Sequence, residues 1–194
     1  MIAWIGSSRQ NIRSFLFLDR DGVVNVDQVD YVKKWEEFQF YSDALEALQW
    51  LAPRGVGVIL ASNQSALGRG IMAWEDFWEI HQKMTARVRE AGGGLLGAFY
   101  CPHRPDEKCP CRKPAPGLLL RAAQIFAIPL ETTYFIGNAR TDMQAAERAG
   151  CRRVLLNRFG EGSLSAEVGG SGPPDACCST LSEAVRMLFG GGKP

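Results

Sequence analysis

The chain has 194 residues, 46% of them hydrophobic and 22% charged, with 22 Lys+Arg against 21 Asp+Glu. That length suits a single domain over 1–194 with its core over about 14–189, and the apolar content excludes wholesale disorder. A net charge of +1 gives no electrostatic case for nucleic acid or an anionic membrane as partner.

No apolar run approaches the roughly 20 residues that cross a bilayer. The opening Met1-Ile2-Ala3-Trp4-Ile5-Gly6 lacks the basic-then-apolar layout of a secretory signal. The expectation is a cytoplasmic monomer. Phe15-Leu16-Phe17-Leu18 is a continuous apolar run ending at Asp19, the pattern of a strand buried on both faces. Ser42 stands as the cap of a helix carrying Leu45, Leu48 and Ala52, stopped near Pro53 and Gly55. A second strand, Val56-Gly57-Val58-Ile59-Leu60-Ala61, ends at Ser62-Asn63. Phe77, Ile80, Met84, Val88 and Ala91 then form a helical stripe before the glycines at 92–94. Ala98-Phe99-Tyr100 leads into Cys101 as a third strand, and Pro114 and Pro116 precede a leucine-rich helix ending at Pro129. Tyr134-Phe135-Ile136 predicts a fourth strand ending at Gly137-Asn138. The pair Thr141 and Gln144 reads as a capping box for a helix that stops at Gly150. Val154-Leu155-Leu156 is a fifth strand. The Gly/Ser/Pro-rich stretch 160–174 reads as a loop before a last strand and a helix opened by Thr180 with Glu183 and closed by Gly190. Residues 190–194 read as a frayed tail.

Strand and helix alternate throughout, which predicts an α/β fold with a parallel sheet covered on both faces. Such sheets carry their chemistry at the carboxyl ends of the strands. Asp19, Ser62 and Asn138 all stand just past strand ends.

Five constellations carry chemical potential. In Asp19-Arg20-Asp21-Gly22-Val23-Val24-Asn25, two carboxylates two residues apart can face one point: one to attack or bind a metal, the other to move protons. A calcium loop needs its glycine at the sixth position, and Gly22 is the fourth; a solvated turn remains the plain alternative. Ser62-Asn63-Gln64-Ser65-Ala66-Leu67-Gly68-Arg69-Gly70 offers hydroxyls and amides suited to an oxyanion or a sugar, and equally to an ordinary polar loop. Cys101, His103, Cys109 and Cys111 supply three thiolates and an imidazole, enough to saturate a tetrahedral zinc ion and leave no open position, so the site is structural. Arg112 and Lys113 follow at once and suit phosphate, though an exposed basic pair reads the same way. In Gly137-Asn138-Ala139-Arg140-Thr141-Asp142, the Asp142 carboxylate at a helix start fits simple dipole capping. Cys151, Cys177 and Cys178 lie in apolar surroundings and read as core thiols.

Together these segments resemble the haloacid dehalogenase superfamily of phosphatases, and within it the zinc-containing branch of heptose bisphosphate and histidinol-phosphate phosphatases. The resemblance spans about residues 14–157, and Tyr31-Val32 with Trp35-Glu36-Glu37-Phe38 are similar to the linking segment of the heptose type. It implies a Rossmann-like sheet without a large cap domain, the zinc loop shaping the rim instead. It also implies Asp19 as nucleophile, Asp21 as acid and base, and Ser62 with Lys113 on the phosphoryl oxygens, Arg112 adding positive charge. Magnesium would sit between Asp19, the Asp21 backbone carbonyl and Asn138, while Asp27, Gln28, Tyr31, Asn63, Gln64, Ser65 and Arg69 would meet the substrate, a small phosphorylated sugar. The family's fourth motif begins Gly-Asp, that Asp being a magnesium ligand; here the position is Asn138, and the lysine that often follows is Ala139. An amide oxygen ligates magnesium with a full charge less, so affinity should fall.

Heptose 1,7-bisphosphate is the expected substrate. Histidinol phosphate is the rival, since that branch shares the short zinc loop, but Asn25 and Gly68-Arg69-Gly70 favour the heptose side. A phospho-ligand binding protein of weakened catalysis is the rival outside the enzymes, kept because of Asn138.

Overall fold

The computed structural model describes residues 1–6, 11–158 and 172–191. Seven strands form one sheet: β1 (Ile2–Ile5), β2 (Ser14–Leu18), β3 (Val56–Asn63), β4 (Gly97–Cys101), β5 (Tyr134–Gly137), β6 (Arg152–Leu156) and β7 (Ala176–Cys178), in the order β1-β4-β3-β2-β5-β6-β7. Every pairing is parallel except that of β1 with β4. The helices are α1 (Ser42–Leu51), α2 (Ser65–Gly68), α3 (Trp74–Glu90), α4 (Gly117–Phe126), α5 (Arg140–Ala149) and α6 (Leu181–Phe189).

Side chains alternate across a strand, so each central strand feeds two cores. Leu16, Leu18, Val58 and Leu60 point into one core with α1, α3 and α6. Phe17, Ile59 and Ala61 point into the other with α4 and α5. This two-sided burial is why β2 and β3 read as unbroken apolar runs. The stripe on α3 is real: Phe77, Ile80, Met84 and Val88 are all buried.

From β2 the chain moves outward through β3 and β4, then crosses back to lay β5 on the other flank of β2. That reversal is a topological switch point, which opens a crevice at the carboxyl end of β2 where Asp19 emerges.

Some local expectations are revised. Ser42 is the first helical residue, and Tyr41 holds the cap position without a side-chain bond. The start of α5 is capped from Asp142 rather than Thr141: its Oδ2 accepts the N–H groups of Asn138 (3.1 Å) and Ala139 (3.0 Å). Ala139 at the cap position has no polar side chain, so the third residue of the helix reaches back instead. Thr180 does cap α6, accepting the Glu183 N–H at 3.1 Å, while Glu183 takes the Ser179 N–H rather than that of Thr180. Gly150 closes α5 in the left-handed conformation. The expected loop at 160–174 falls mostly, and the expected tail at 190–194 partly, outside the described residues.

Candidate active site

A cleft of about 350 Å³ opens at the switch point. Asp19, one residue past β2, is buried, and its Oδ1 accepts the Arg20 N–H at 2.7 Å and lies 2.9 Å from Lys113 Nζ. Lys113 Nζ is also 2.7 Å from Asp142 Oδ1. The lysine therefore bridges the carboxylates that follow β2 and lead α5. Asn63, last in β3, fixes the lysine's backbone from both sides: its Oδ1 accepts the Lys113 N–H at 3.0 Å and its Nδ2 donates to the Lys113 carbonyl at 3.1 Å. Sequence reasoning placed Asn63 toward the sugar; in the fold it also holds Lys113.

Asp21 is surrounded by donors. Arg20 reaches it through Nε (3.2 Å) and Nη2 (2.9 and 3.0 Å), Asn25 Nδ2 through 2.9 Å, and Gln64 Nε2 through 2.7 Å. Gln64 donates also to Ser62 Oγ at 3.1 Å, tying the two strand-end motifs together. Arg20 is a site residue that the sequence motifs do not single out. Its signal was its place between two carboxylates, and its guanidinium is only 2% exposed.

Two glycines let these motifs close on each other. Gly22 has φ +79°, and a Cβ there would lie 2.1 Å from Asn138 Nδ2, so Asn138 sits directly against the turn that carries Asp21. A Cβ on Gly137 would meet the Asp142 Cβ at 2.3 Å.

Burial raises the Asp19 carboxyl; Lys113 opposes this, but Asp142 and Asp21 add to it, and the group is pushed up to about 7. Burial also acts to raise Asp21, but Arg20 and the hydrogen bonds from Arg20, Asn25 and Gln64 outweigh it and hold the group below the usual carboxylate range. Burial works against the charge on Lys113, yet Asp142 and Asp19 more than restore it. Three carboxylates here face two buried cations, Arg20 and Lys113, so the floor of the cleft is anionic.

Ser62, Asn63, Gln64, Ser65, Arg112, Lys113 and Asn138 all line the cleft, as do Asp27, Gln28 and Tyr31. Arg69, exposed at the end of α2, is not among the lining residues. Ala139 and Thr141 line it too.

Beside the cleft, Cys101, His103, Cys109 and Cys111 bring their ligand atoms within 4.8 Å of one another. The sulfur–sulfur separations are 3.4–3.5 Å, and His103 Nδ1 lies 3.5 Å from Cys101 Sγ and 3.3 Å from Cys111 Sγ. Zinc–sulfur bonds of about 2.3 Å imply tetrahedral edges of about 3.8 Å, so the four ligand atoms are spaced slightly more tightly than a zinc tetrahedron and their donor set fits that ion. Its His103 carbonyl accepts Arg112 Nη1 at 3.4 Å, which links the cluster to the rim of the cleft. At the floor, Asp19, Asp21 and Asn138 line the same cleft and Asn138 lies against Gly22, so hard oxygen donors of a kind that suits a different ion are gathered there.

A parallel sheet with paired carboxylates after one strand, a hydroxyl after the next, a buried lysine and an acid-led helix after a third places the chain among the haloacid dehalogenase-like hydrolases. The HAD-hydrolase-like family model matches residues 110–184. The D-glycero-beta-D-manno-heptose-1,7-bisphosphate 7-phosphatase of Pseudomonas putida is 39% identical over 154 residues, covering 79% of this chain and 87% of its own. Its counterpart in Yersinia pestis is 38% identical over 180 residues, covering 89% and 94%. Among solved structures, the D,D-heptose 1,7-bisphosphate phosphatase from B. bronchiseptica complexed with magnesium and phosphate superposes with a TM-score of 0.85 at 34% identity, covering 92% of this chain and 99% of that one. The chain belongs to the D-glycero-beta-D-manno-heptose-1,7-bisphosphate 7-phosphatase family.

Proposed function

We propose that the chain, acting as a single domain and a monomer in the cytoplasm, is a magnesium-dependent phosphatase that releases the 7-phosphate of a heptose 1,7-bisphosphate. The observation that carries this reading is the meeting, at one strand end, of Asp19 with Lys113 and the Asp21 carboxylate beside it. Among the described residues no helix is long and apolar enough to cross a membrane.

Asp19 attacks phosphorus and forms an aspartyl-phosphate. Lys113 and Ser62 hold the phosphoryl oxygens, and Arg112 extends the positive field to the rim. Asp21 gives a proton to the departing alkoxide, then takes one from the water that frees the phosphate. Its donor-rich setting favours the ionised form that the second step needs; an arriving phosphate dianion opposes that preference and supports the first. Asp27, Gln28 and Tyr31, which line the same cleft, would meet the sugar.

The anionic floor is itself a reason for a divalent cation, because an excess of carboxylates repels a phosphate ester. Asp19, the Asp21 backbone carbonyl and Asn138 would hold magnesium, which supplies the positive charge that lets an anionic nucleophile meet a phosphate. Cys101, His103, Cys109 and Cys111 would hold zinc, closed to chemistry and serving the loop that leads into Arg112.

Phosphate release measured in parallel on heptose 1,7-bisphosphate and histidinol phosphate tests this reading. The heptose should be turned over with the higher kcat/KM, and a preference for histidinol phosphate would move the chain to the other branch. Asn138 favours the second reading, a phospho-ligand binding protein; tight phosphate binding without turnover at saturating magnesium would establish it.

A further inference from the structure

Arg158, two residues beyond β6, has a side chain only 9% exposed and does not line the cleft. Among the described residues its guanidinium makes three hydrogen bonds. Nη1 donates to Asp43 Oδ1 at 2.8 Å, Nη2 to the Val23 carbonyl at 2.9 Å, and Nε to the Gly22 carbonyl at 3.3 Å. The Tyr41 ring lies beneath it, 3.7 Å from the guanidinium carbon to the centroid. Asp43, on α1, uses its other oxygen to accept the Leu181 and Ser182 N–H groups at 2.5 and 3.4 Å, which ties down the start of α6.

An ion pair that served only to join α1 to the end of β6 would need Asp43 alone. Here two of the three guanidinium nitrogens go instead to the carbonyls of the two residues that directly follow Asp21. Those residues do not line the cleft either, so the grip acts on the catalytic turn from outside it. Gly22 is also where the turn meets Asn138, with no room even for a Cβ between them. A shift of the Gly22 peptide therefore changes the gap between the Asp21 backbone and Asn138.

We propose that Arg158 is a positioning residue: by clamping the Gly22 and Val23 carbonyls it fixes the turn that presents Asp21 and sets its distance from Asn138. The proposal rests on the reading that these two groups hold magnesium. A planar fork of five N–H donors can serve a carboxylate and two carbonyls at once, whereas an ammonium is a point charge on a single-file stem. Arg158→Lys should thus keep the pairing with Asp43 and lose the clamp, and Arg158→Met should lose both.

The experiment is calorimetric titration of the full-length protein with magnesium alone, beside kcat and KM on heptose 1,7-bisphosphate and thermal melting, for the wild type and both variants. Arg158→Met should bind magnesium about tenfold more weakly and lose about tenfold in kcat with KM little changed, the factor that one charged hydrogen bond carries. Arg158→Lys should recover most of the melting temperature but neither the magnesium affinity nor kcat. Variants that bind magnesium and turn over like the wild type, with only the melting temperature lowered, would overturn the proposal and leave Arg158 as a structural tie. Recovery of magnesium affinity by Arg158→Lys would overturn it as well. A wild type that neither binds magnesium nor releases phosphate would overturn the functional reading, and the proposal with it.

Discussion

Asn138 is the residue at which this site departs from the pattern it resembles. Its amide lies against Gly22 with no charge to offer, in a floor where carboxylates already outnumber cations. Asn138→Asp should tighten magnesium by about tenfold or more, because a unit charge is added at contact distance in a partly desolvated cleft, and it should raise turnover. Without magnesium the same change adds repulsion, so the metal-free variant should melt below the wild type. A magnesium titration of phosphate release on both forms checks this; an unchanged half-saturating concentration would mean that the ion is not held at Asn138. A second residue matters for stability rather than chemistry. His81 is buried, its Nδ1 lies 2.9 Å from the Tyr100 hydroxyl, and its Nε2 meets no hydrogen-bond partner among the described residues. Burial, with a smaller push from Arg20, lowers its pKa from 6.5 to about 4. The unfolded chain thus binds the extra proton between those values, so this group's contribution is full above pH 6.5 and is lost as pH falls toward 4, roughly 3 kcal/mol in all. Asp19 acts in the opposite sense in the metal-free protein. Its raised folded pKa favours the native state at low pH, and that advantage disappears as pH rises toward 7. Urea midpoints at pH 7 and pH 5 for wild type and His81→Gln separate the two, since the wild type should lose stability relative to the variant on acidification. Parallel profiles would show that His81 is protonated in the native state.

At the scale of elements, the zinc loop is the piece whose removal is most informative. Cys111 runs directly into Arg112, whose guanidinium leans on the His103 carbonyl, whereas the Lys113 backbone is held independently by Asn63. Metal analysis should find about one zinc per chain. Stripping it, or Cys109→Ser, should raise KM by about tenfold through Arg112, with kcat falling less because Lys113 keeps its anchor. Zinc-free protein with unchanged KM would contradict this division. The sequence made the loop legible because four soft ligands crowd eleven residues. It made β2 to β6 legible because strands buried on both faces leave continuous apolar runs. It concealed β1, whose four residues Ile2-Ala3-Trp4-Ile5 are apolar on both the half-buried and the exposed face and so show no alternation. At α5 the Thr141–Gln144 pair puts the start too late, whereas Asp142, legible as a carboxylate at a helix start, is the residue that caps it, from inside the helix.

Over the whole molecule, motif order along the chain was enough to assemble Asp19, Ser62, Lys113 and Asn138 around one cleft, because a parallel sheet delivers successive strand ends to the same edge. What sequence could not show were the contacts that lock the assembly: Arg20 folded back on Asp21, Asn63 gripping Lys113 across 50 residues, and Arg158 reaching the Gly22 and Val23 carbonyls across 136 and 135. Such contacts leave no local periodicity to read. Every step of the proposed chemistry depends on Asp19 forming the covalent bond to phosphorus. The most direct measurement is phosphate release from the 7-position of heptose 1,7-bisphosphate at saturating magnesium, wild type beside Asp19→Asn. The wild type should yield inorganic phosphate and the 1-phosphate sugar, and Asp19→Asn, folded but carrying a neutral amide, should yield neither above background; substantial turnover by Asp19→Asn would contradict the mechanism.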